Sequence, residues 1–316
     1  MIDPIFIVGV HRSGTTLLRY MLNSSPHVYI PPESDFIPRF FLGRPHEELS
    51  DARIARILDV IFGRYRFVKE WQGDPPDPAR FAARMPARTP ASFLATLYSD
   101  YAEQYGAARW GDKTPIYTSY VDLIADMFPT ARFVHIIRDG RDVALSMLDK
   151  WGDKEPHVDI FFTARNYVRR IRAARTAGQR LDPDRYYEMR YEALVQDPER
   201  ELGAVCEFLG EEYFPEMAQP HVLARETIEP GSWHDPIRRP PNTGSIERWR
   251  EKMTPADLRL FQFVAGSQLE ELGYGLAQAG RMPAREVARL SALAAKYALL
   301  QSGRRVLQAA GLFPPI

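Results

Sequence analysis

A glycine-rich turn near the start of the chain has the spacing of a phosphate-binding loop. Gly9 and Gly14 are separated by four residues and follow an apolar run over residues 5–10, which is typical of a buried strand. Glycines let backbone N–H groups converge on one anion, and the helix predicted to follow adds its positive N-terminal end. Further donors could come from Arg12, Ser13, Thr15 and Thr16. The same spacing also occurs in strand-to-helix turns that bind nothing.

The residue after the second glycine argues against an ATP-binding loop. A Walker A loop places Lys there to neutralise the β- and γ-phosphates, whereas this chain has Thr15. The positive group comes earlier, at Arg12. The loop therefore suits a donor with a less charged reacting end, such as a sulfate ester on a 5′-phosphate, and an ATP-dependent kinase is disfavoured.

Two short segments offer the groups that such a transfer requires. Glu33 follows two prolines, so its carboxylate lies on a stiff backbone close in sequence to the loop and could act as a base. Lys113, in Gly-Asp-Lys-Thr-Pro, is a movable point charge that suits an oxygen whose negative charge grows during the reaction. Taken alone, Glu33 fits a surface carboxylate beside a proline turn better than a base, and the alternative for Lys113 is a solvated loop lysine.

A second anion-binding motif follows a predicted strand over residues 131–137. Arg138 begins the run Arg-Asp-Gly-Arg, and the helix predicted after it carries Ser146 and Lys150. The last two residues are one helical turn apart, so both can face the same anion. Asp139 is expected to cap this helix.

The two motifs, in this order and each at a strand-to-helix junction, resemble those of the PAPS-dependent sulfotransferases. The similarity is greatest to the tyrosylprotein sulfotransferases and the bacterial group related to them. Residues 11–17 look like the loop that binds the 5′-phosphosulfate, and Arg138 with Ser146 looks like the 3′-phosphate motif. The resemblance covers residues 5–39, 111–151, 187–209 and 242–274. It implies that 3′-phosphoadenylyl sulfate (PAPS) is the donor co-substrate and PAP the product.

The resemblance also implies a role for each candidate residue. Glu33 would be the general base, while Arg12 and Lys113 would stabilise the transferring sulfuryl group. The nucleotide would be held by Arg12, Ser13, Gly14, Thr15, Thr16, Arg138, Ser146, Lys150, Tyr191, Asn242 and Arg248. His27 and His157 are weaker alternatives to Glu33 as the base, His11 is assigned no chemistry, and His135 is expected in the core. Ligands at zinc spacing are missing from the sequence, so no metal is expected.

The acceptor is not specified by these motifs. The tyrosylprotein enzymes carry an Arg two residues after the base, where this chain has Asp35, and the inverted charge should repel an acidic peptide. A hydroxyl of a carbohydrate, a lipid, a phenolic metabolite or a peptide tyrosine stays open. The alternative function is a non-catalytic module that binds PAP or another nucleotide, although such a module has no need of Glu33 or Lys113.

Strands alternating with helices predict how these residues are positioned: a P-loop-like, three-layer α/β fold with a central parallel sheet flanked by helices. A third strand is predicted over residues 185–191, and residues 73–90 are expected to be irregular. Helices are predicted at about 51–67, 91–105, 159–177, 198–209 and 255–272. We expect residues 1–280 to form the sulfotransferase domain. Residues 281–316 should form an amphipathic helical tail packed on it, with a membrane surface or a second subunit as the alternative contact.

Composition limits the partners and the compartment. Lys and Arg number 41, as do Asp and Glu, so no overall charge attracts nucleic acid, and an anion site must be a local basic cluster. A single cysteine, Cys206, excludes internal disulfides and suits a reducing compartment. The apolar run at residues 5–10 is too short for a signal peptide. We therefore expect a cytoplasmic enzyme, with peripheral membrane contact as an option through the tail.

Overall fold

The central layer of the protein is a parallel sheet. A computed structural model describes residues 3–155, 157–230 and 235–309, with side chains up to residue 302. Its five strands lie in the order β2-β3-β1-β4-β5, and every neighbouring pair is parallel. They are β1 (Ile5–Val8), β2 (Val28–Tyr29), β3 (Arg109–Lys113), β4 (Arg132–Ile137) and β5 (Tyr186–Arg190).

Helices cover both faces of this sheet, so the predicted three-layer α/β fold is confirmed. They are α1 (Thr15–Asn23), α2 (Ile37–Phe41), α3 (Asp51–Arg64), α4 (Pro78–Arg84), α5 (Pro90–Glu103), α6 (Val121–Met127), α7 (Gly140–Trp151), α8 (Ile160–Gly178), α9 (Tyr191–Gln196), α10 (Pro198–Leu209), α11 (Pro220–Thr227), α12 (Trp249–Lys252), α13 (Pro255–Glu271) and α14 (Ala284–Ala309). Alternate residues of β1 enter different cores: Phe6 and Val8 pack on one face, and Ile5 and Ile7 on the other. The continuous apolar run follows from this two-sided burial.

The structure corrects one expectation from the sequence and contains a strand, β3, that the sequence did not predict. Residues 73–90 are not wholly irregular, because they contain α4, whose first turn begins at Pro78 and is capped by the side chain of Asp77. The segment around Lys113 is not a loop but the strand β3. Its sequence carries few apolar residues and a glycine, so it lacks the usual strand pattern, yet all five of its residues are buried.

The order of the strands places the motifs at one edge of the sheet. β1 lies between β3 and β4, so the loop that follows β1 lies between the carboxyl ends of its two neighbours. Lys113 ends β3 opposite Ile7, and Ile137 ends β4 just before Arg138. This is the switch point of an open parallel sheet, where crevices for ligands form.

The C-terminal helix α14 packs on α8 and α13. Leu290, Leu293 and Tyr297 lie against the core formed with those helices. Glu286 is buried and forms an ion pair of 2.5 Å with Arg259 of α13. Contact of this tail with a membrane or a second subunit stays a prediction. Within the described residues, no helix combines the length and the apolar character needed to cross a bilayer.

Truncation after Gln278 should lower the free energy of unfolding by about 2–5 kcal/mol, because it uncovers apolar side chains of α8 and α13. Urea unfolding followed by circular dichroism measures the change. As a control, Leu299→Ala alters a side chain of α14 that is 74% exposed, and it should change stability by less than about 0.5 kcal/mol. An unchanged urea midpoint in the truncated chain would show that α14 contributes nothing to the fold.

Candidate active site

The loop after β1 is held in a shape that presents donors. Its first residue, Gly9, donates its backbone N–H to Thr118 Oγ1 at 2.8 Å. Arg12 and Gly14 take left-handed conformations, with φ of 72° and 95°, so the backbone curls sharply. The hydroxyl of Ser13 is buried between them and has no hydrogen-bond partner among the described residues. A buried hydroxyl of this kind needs a partner, and a ligand anion would supply one.

Gly14 is required by space as well as by conformation. A Cβ at this position would collide with the ring of Tyr191, the first residue of α9. That ring is fixed from two sides: its hydroxyl shares a hydrogen bond of 2.6 Å with Ser245 Oγ, and the guanidinium of Arg138 lies 4.4 Å from its centroid. Tyr191 therefore links the loop to two distant parts of the chain.

Arg138 is the central donor of this region. Its side chain is 6% exposed. Nη1 donates to the carbonyl of Arg12 at 2.9 Å, and Nη2 donates to the carbonyl of Ser245 at 2.6 Å. Its Nε is buried without a partner in the described part of the chain. Arg138 thus holds the loop after β1 and the late loop around residue 245 together, and its Nε–H is left for a ligand.

These elements enclose a cavity of about 400 Å³ with a strongly positive lining. Four arginines line it, and no Asp or Glu is among the described lining residues. Three of the four arginines were predicted from the sequence, whereas Arg239 was missed because it follows no recognisable motif. The predicted residues that line this cavity are Arg12, Gly14, Thr15, Thr16, Arg138, Tyr191, Asn242 and Arg248.

Three predicted nucleotide-binding residues lie beside the cavity rather than in its wall. Ser13 is buried behind the loop, and Ser146 accepts a hydrogen bond of 2.9 Å from Arg12 Nε. Lys150 follows one turn later on α7. Burial and the charge of Arg12 lower the pKa of Lys150 to about 8.

The predicted base and the predicted second cation are in direct contact. Lys113 Nζ donates to Glu33 Oε1 at 2.5 Å and to Thr16 Oγ1 at 3.3 Å. Lys113 is almost fully buried, whereas the Glu33 side chain is 26% exposed. Burial lowers the pKa of Lys113, and the Glu33 carboxylate opposes this change. The Glu33 carboxylate, which reaches solvent, and the buried Lys113 ammonium group therefore lie in contact beside the loop after β1.

A buried network that the sequence analysis missed holds this pair in place. Ser34 Oγ donates to Asp112 Oδ2 at 2.7 Å, and Tyr98 Oη donates to the same oxygen at 2.5 Å. Ser34 Oγ also shares a hydrogen bond of 2.6 Å with Tyr117 Oη. Because Ser34 follows Glu33 and Asp112 precedes Lys113, these bonds fix the backbone on both sides of the pair. The only signal in the sequence was that both residues adjoin predicted site residues.

A second cavity, of about 460 Å³, lies on the other side of the pair. Glu33 and Lys113 line it, together with Arg66, Lys69, Glu70 and residues 227–229. Thr16 lines both cavities, so they meet at the start of α1. A group bound in the first cavity and a hydroxyl bound in the second would therefore meet beside Glu33 and Lys113.

The histidines considered as alternative bases lie elsewhere. His27 packs against Phe214, and His157 packs against Phe162; neither lines either cavity. His135 is in the core, where its Nδ1 shares a hydrogen bond of 2.6 Å with Tyr186 Oη. His11 packs on Trp151, and burial lowers its pKa to about 3, so it is neutral at pH 7.

Comparison with known proteins gives matches over most of the chain. A family model described as "Sulfotransferase family" matches residues 4–216, more than half of the chain. A protein-tyrosine sulfotransferase from Drosophila melanogaster is 24% identical over 285 residues, which cover 85% of this chain and 51% of that protein. An omega-hydroxy-beta-dihydromenaquinone-9 sulfotransferase from Mycobacterium bovis is 27% identical over 257 residues, covering 68% of this chain and 66% of that protein.

A solved structure shares the fold over most of the chain. The sulfotransferase domain from the Synechococcus PCC 7002 olefin synthase superposes with a TM-score of 0.64 at 24% identity, covering 88% of this chain and 98% of that domain. The chain spans about half the length of the Drosophila relative and 30% of that of another curated relative.

Gly14→Ala should destabilise the protein more than Gly43→Ala. Both glycines have positive φ, of 95° and 76°, so each alanine incurs strain of about 1–2 kcal/mol. Only at position 14 would the new Cβ also meet another residue, Tyr191, whereas nothing lies within 4 Å at position 43. Urea unfolding of both variants should show a loss at least about 1 kcal/mol larger for Gly14→Ala. Equal losses would mean that Tyr191 does not pack on the loop.

Proposed function

The chain belongs to the sulfotransferase family, and on that premise we propose that it transfers a sulfuryl group from PAPS to an acceptor hydroxyl. The observation that carries the proposal is the contact between Glu33 and Lys113 at the place where the two cavities meet. One cavity has a lining suited to a nucleotide that carries several negative charges. The other is open to a second substrate.

The first cavity fits PAPS by its charge and by its unsatisfied donors. Four arginines with no described carboxylate among them suit a ligand with two phosphate groups and a sulfate. The hydroxyl of Ser13 and the Nε of Arg138 are buried donors that a ligand could satisfy. We assign the loop from Arg12 to Thr16 to the 5′-phosphosulfate. Arg138, Ser146 and Lys150 are assigned to the 3′-phosphate, and Tyr191, Asn242 and Arg248 to closing the nucleotide site.

Each residue of the pair would perform one part of the transfer. Glu33 would accept the proton of the acceptor hydroxyl as the new oxygen–sulfur bond forms. Lys113, released from Glu33, would neutralise the oxygen of the 5′-phosphate as its bond to sulfur breaks. Arg12 would hold the transferring group from the loop. The buried network around Ser34 and Asp112 would keep both groups aligned, which is the main contribution a protein makes to such transfers.

We propose the acceptor only as a molecule that carries a hydroxyl group, whereas the donor is proposed as one compound, PAPS. The relatives are named for a protein tyrosine and for a menaquinone derivative, so they share an acceptor hydroxyl and little else. The alternative function, a module that binds PAP without catalysis, would leave the Glu33–Lys113 contact without a role. Incubation with radiolabelled PAPS, and in parallel with labelled ATP, separates a sulfotransferase from such a module and from a kinase.

Glu33→Gln should keep its affinity for PAP while turnover falls by about 10²–10⁴-fold, because an amide cannot accept the acceptor proton. Turnover is measured as transfer of ³⁵S from PAPS to a panel of sugar, phenol, lipid and peptide-tyrosine hydroxyls. Glu212→Gln removes an exposed carboxylate that lines neither cavity and serves as the control, with turnover expected within a few-fold of wild type. Near-normal turnover of Glu33→Gln would remove Glu33 from the mechanism and revive a histidine base.

A further inference from the structure

The second cavity has an excess of positive charge that the transfer chemistry does not use. Its lining includes four cations, Arg19, Arg66, Lys69 and Lys113, and three carboxylates, Glu33, Glu70 and Glu229. Two ion pairs of 2.5 Å neutralise part of this set: Arg19 with Glu70, and Lys113 with Glu33. Two positive charges, Arg66 and Lys69, and one carboxylate, Glu229, therefore remain in the lining outside these ion pairs.

Arg66 and Lys69 are presented together on a fixed support. They lie on the short 3-10 helix Arg66–Glu70, in which residues three apart project on the same side. Phe67 anchors this helix in the core, and its carbonyl accepts a hydrogen bond of 2.7 Å from Tyr101 Oη. Glu70 N donates to the same hydroxyl at 3.1 Å. The support is therefore ordered before any ligand binds.

Neither cation forms an ion pair with the described residues around it. Within the described residues, no carboxylate lies within ion-pair distance of Arg66 or of Lys69, and both side chains are exposed. The charge of Arg66 also contributes, after burial and Arg12, to the lowered pKa of Lys150. The charge of Glu33 acts on the same pKa, so Arg66 and the proposed base lie in one electrostatic region.

We propose that the acceptor carries an anionic group close to its reacting hydroxyl, and that Arg66 and Lys69 bind this anion while the hydroxyl meets Glu33. The anion would be a carboxylate, phosphate or sulfate, the groups that paired cations of this kind recognise. The volume of about 460 Å³ suits a small molecule or the end of a larger one. The inference rests on the proposed sulfuryl transfer and specifies its substrate class.

Two carboxylates limit the strength of this preference. Glu229 lines the same cavity and offsets one of the two positive charges. Asp35 lies beyond the lining; although its side chain reaches solvent, burial and the charge of Glu33 raise its pKa to about 6. The repulsion that the sequence predicted from Asp35 therefore concerns ligands outside this cavity. Two cations against one lining carboxylate still favour an anion, by about tenfold.

The test compares two probes that differ in charge but hardly in shape, 4-hydroxyphenylacetate and 4-hydroxyphenylacetamide. Their binding to the PAP-loaded protein is measured by calorimetry at low salt, where charge effects are not screened. The wild type should bind the carboxylate about tenfold more tightly than the amide. Arg66→Gln/Lys69→Gln should abolish this preference and leave PAP affinity unchanged. Arg56→Gln/Arg64→Gln, which removes two exposed charges of α3 outside the cavity, should retain it.

Equal affinity of the wild type for the two probes, including no measurable binding of either, would overturn the anion subsite. A preference that survives in Arg66→Gln/Lys69→Gln would overturn it as well. Sulfuryl transfer from PAPS without any charge preference would leave the proposed function standing and refute only this inference. Failure of the protein to bind PAP would refute both.

Discussion

The buried guanidinium of Arg138 joins the parts of the chain that form the proposed nucleotide site. It donates to the carbonyl of Arg12 in the loop after β1 and to the carbonyl of Ser245 in the late loop, and it stacks on the ring of Tyr191. Since Tyr191 in turn packs on Gly14, this side chain connects three segments: the loop after β1, the start of α9 and the late loop. An arginine suits this position because its planar fork can make several directed bonds at once while keeping its charge.

The sheet positions the part of the site that Arg138 does not contact, which is the side where the second substrate is proposed to bind. With β1 between β3 and β4, the end of β3 brings Lys113 to the loop from the side opposite Arg138. Glu33 reaches Lys113 from the segment after β2, and the network of Ser34 and Asp112 fixes that approach. The positive first cavity and the second cavity, proposed for the nucleotide and the acceptor, therefore share a boundary at Thr16.

The sequence was sufficient for features that depend on local order. The loop, the Arg138 motif and most helices could be predicted, because glycine spacing, caps and periodicity act over a few residues; Asp139 caps α7 as expected. Long-range pairing left no such signal. The hydrogen bonds of Gly9 with Thr118 and of Arg12 with Ser146 form only when the sheet has folded. In addition, the sequence of β3 lacks the apolar pattern of a strand. The cations Arg66 and Lys69 come from a helical insertion that no motif marks, so only the structure brings them to the site.

The most direct test of this account measures recognition of the 3′-phosphate by Arg138. Calorimetry would compare PAP with AMP, which lacks that phosphate, on the wild type, on Arg138→Ala and on the exposed control Arg250→Ala. Arg138→Ala should weaken PAP binding by about 2–4 kcal/mol, the range for removing one member of a buried charged pair, and AMP binding much less. Arg250→Ala should keep the wild-type preference for PAP. Equal losses for PAP and AMP in Arg138→Ala would contradict the assignment of this cavity to PAPS.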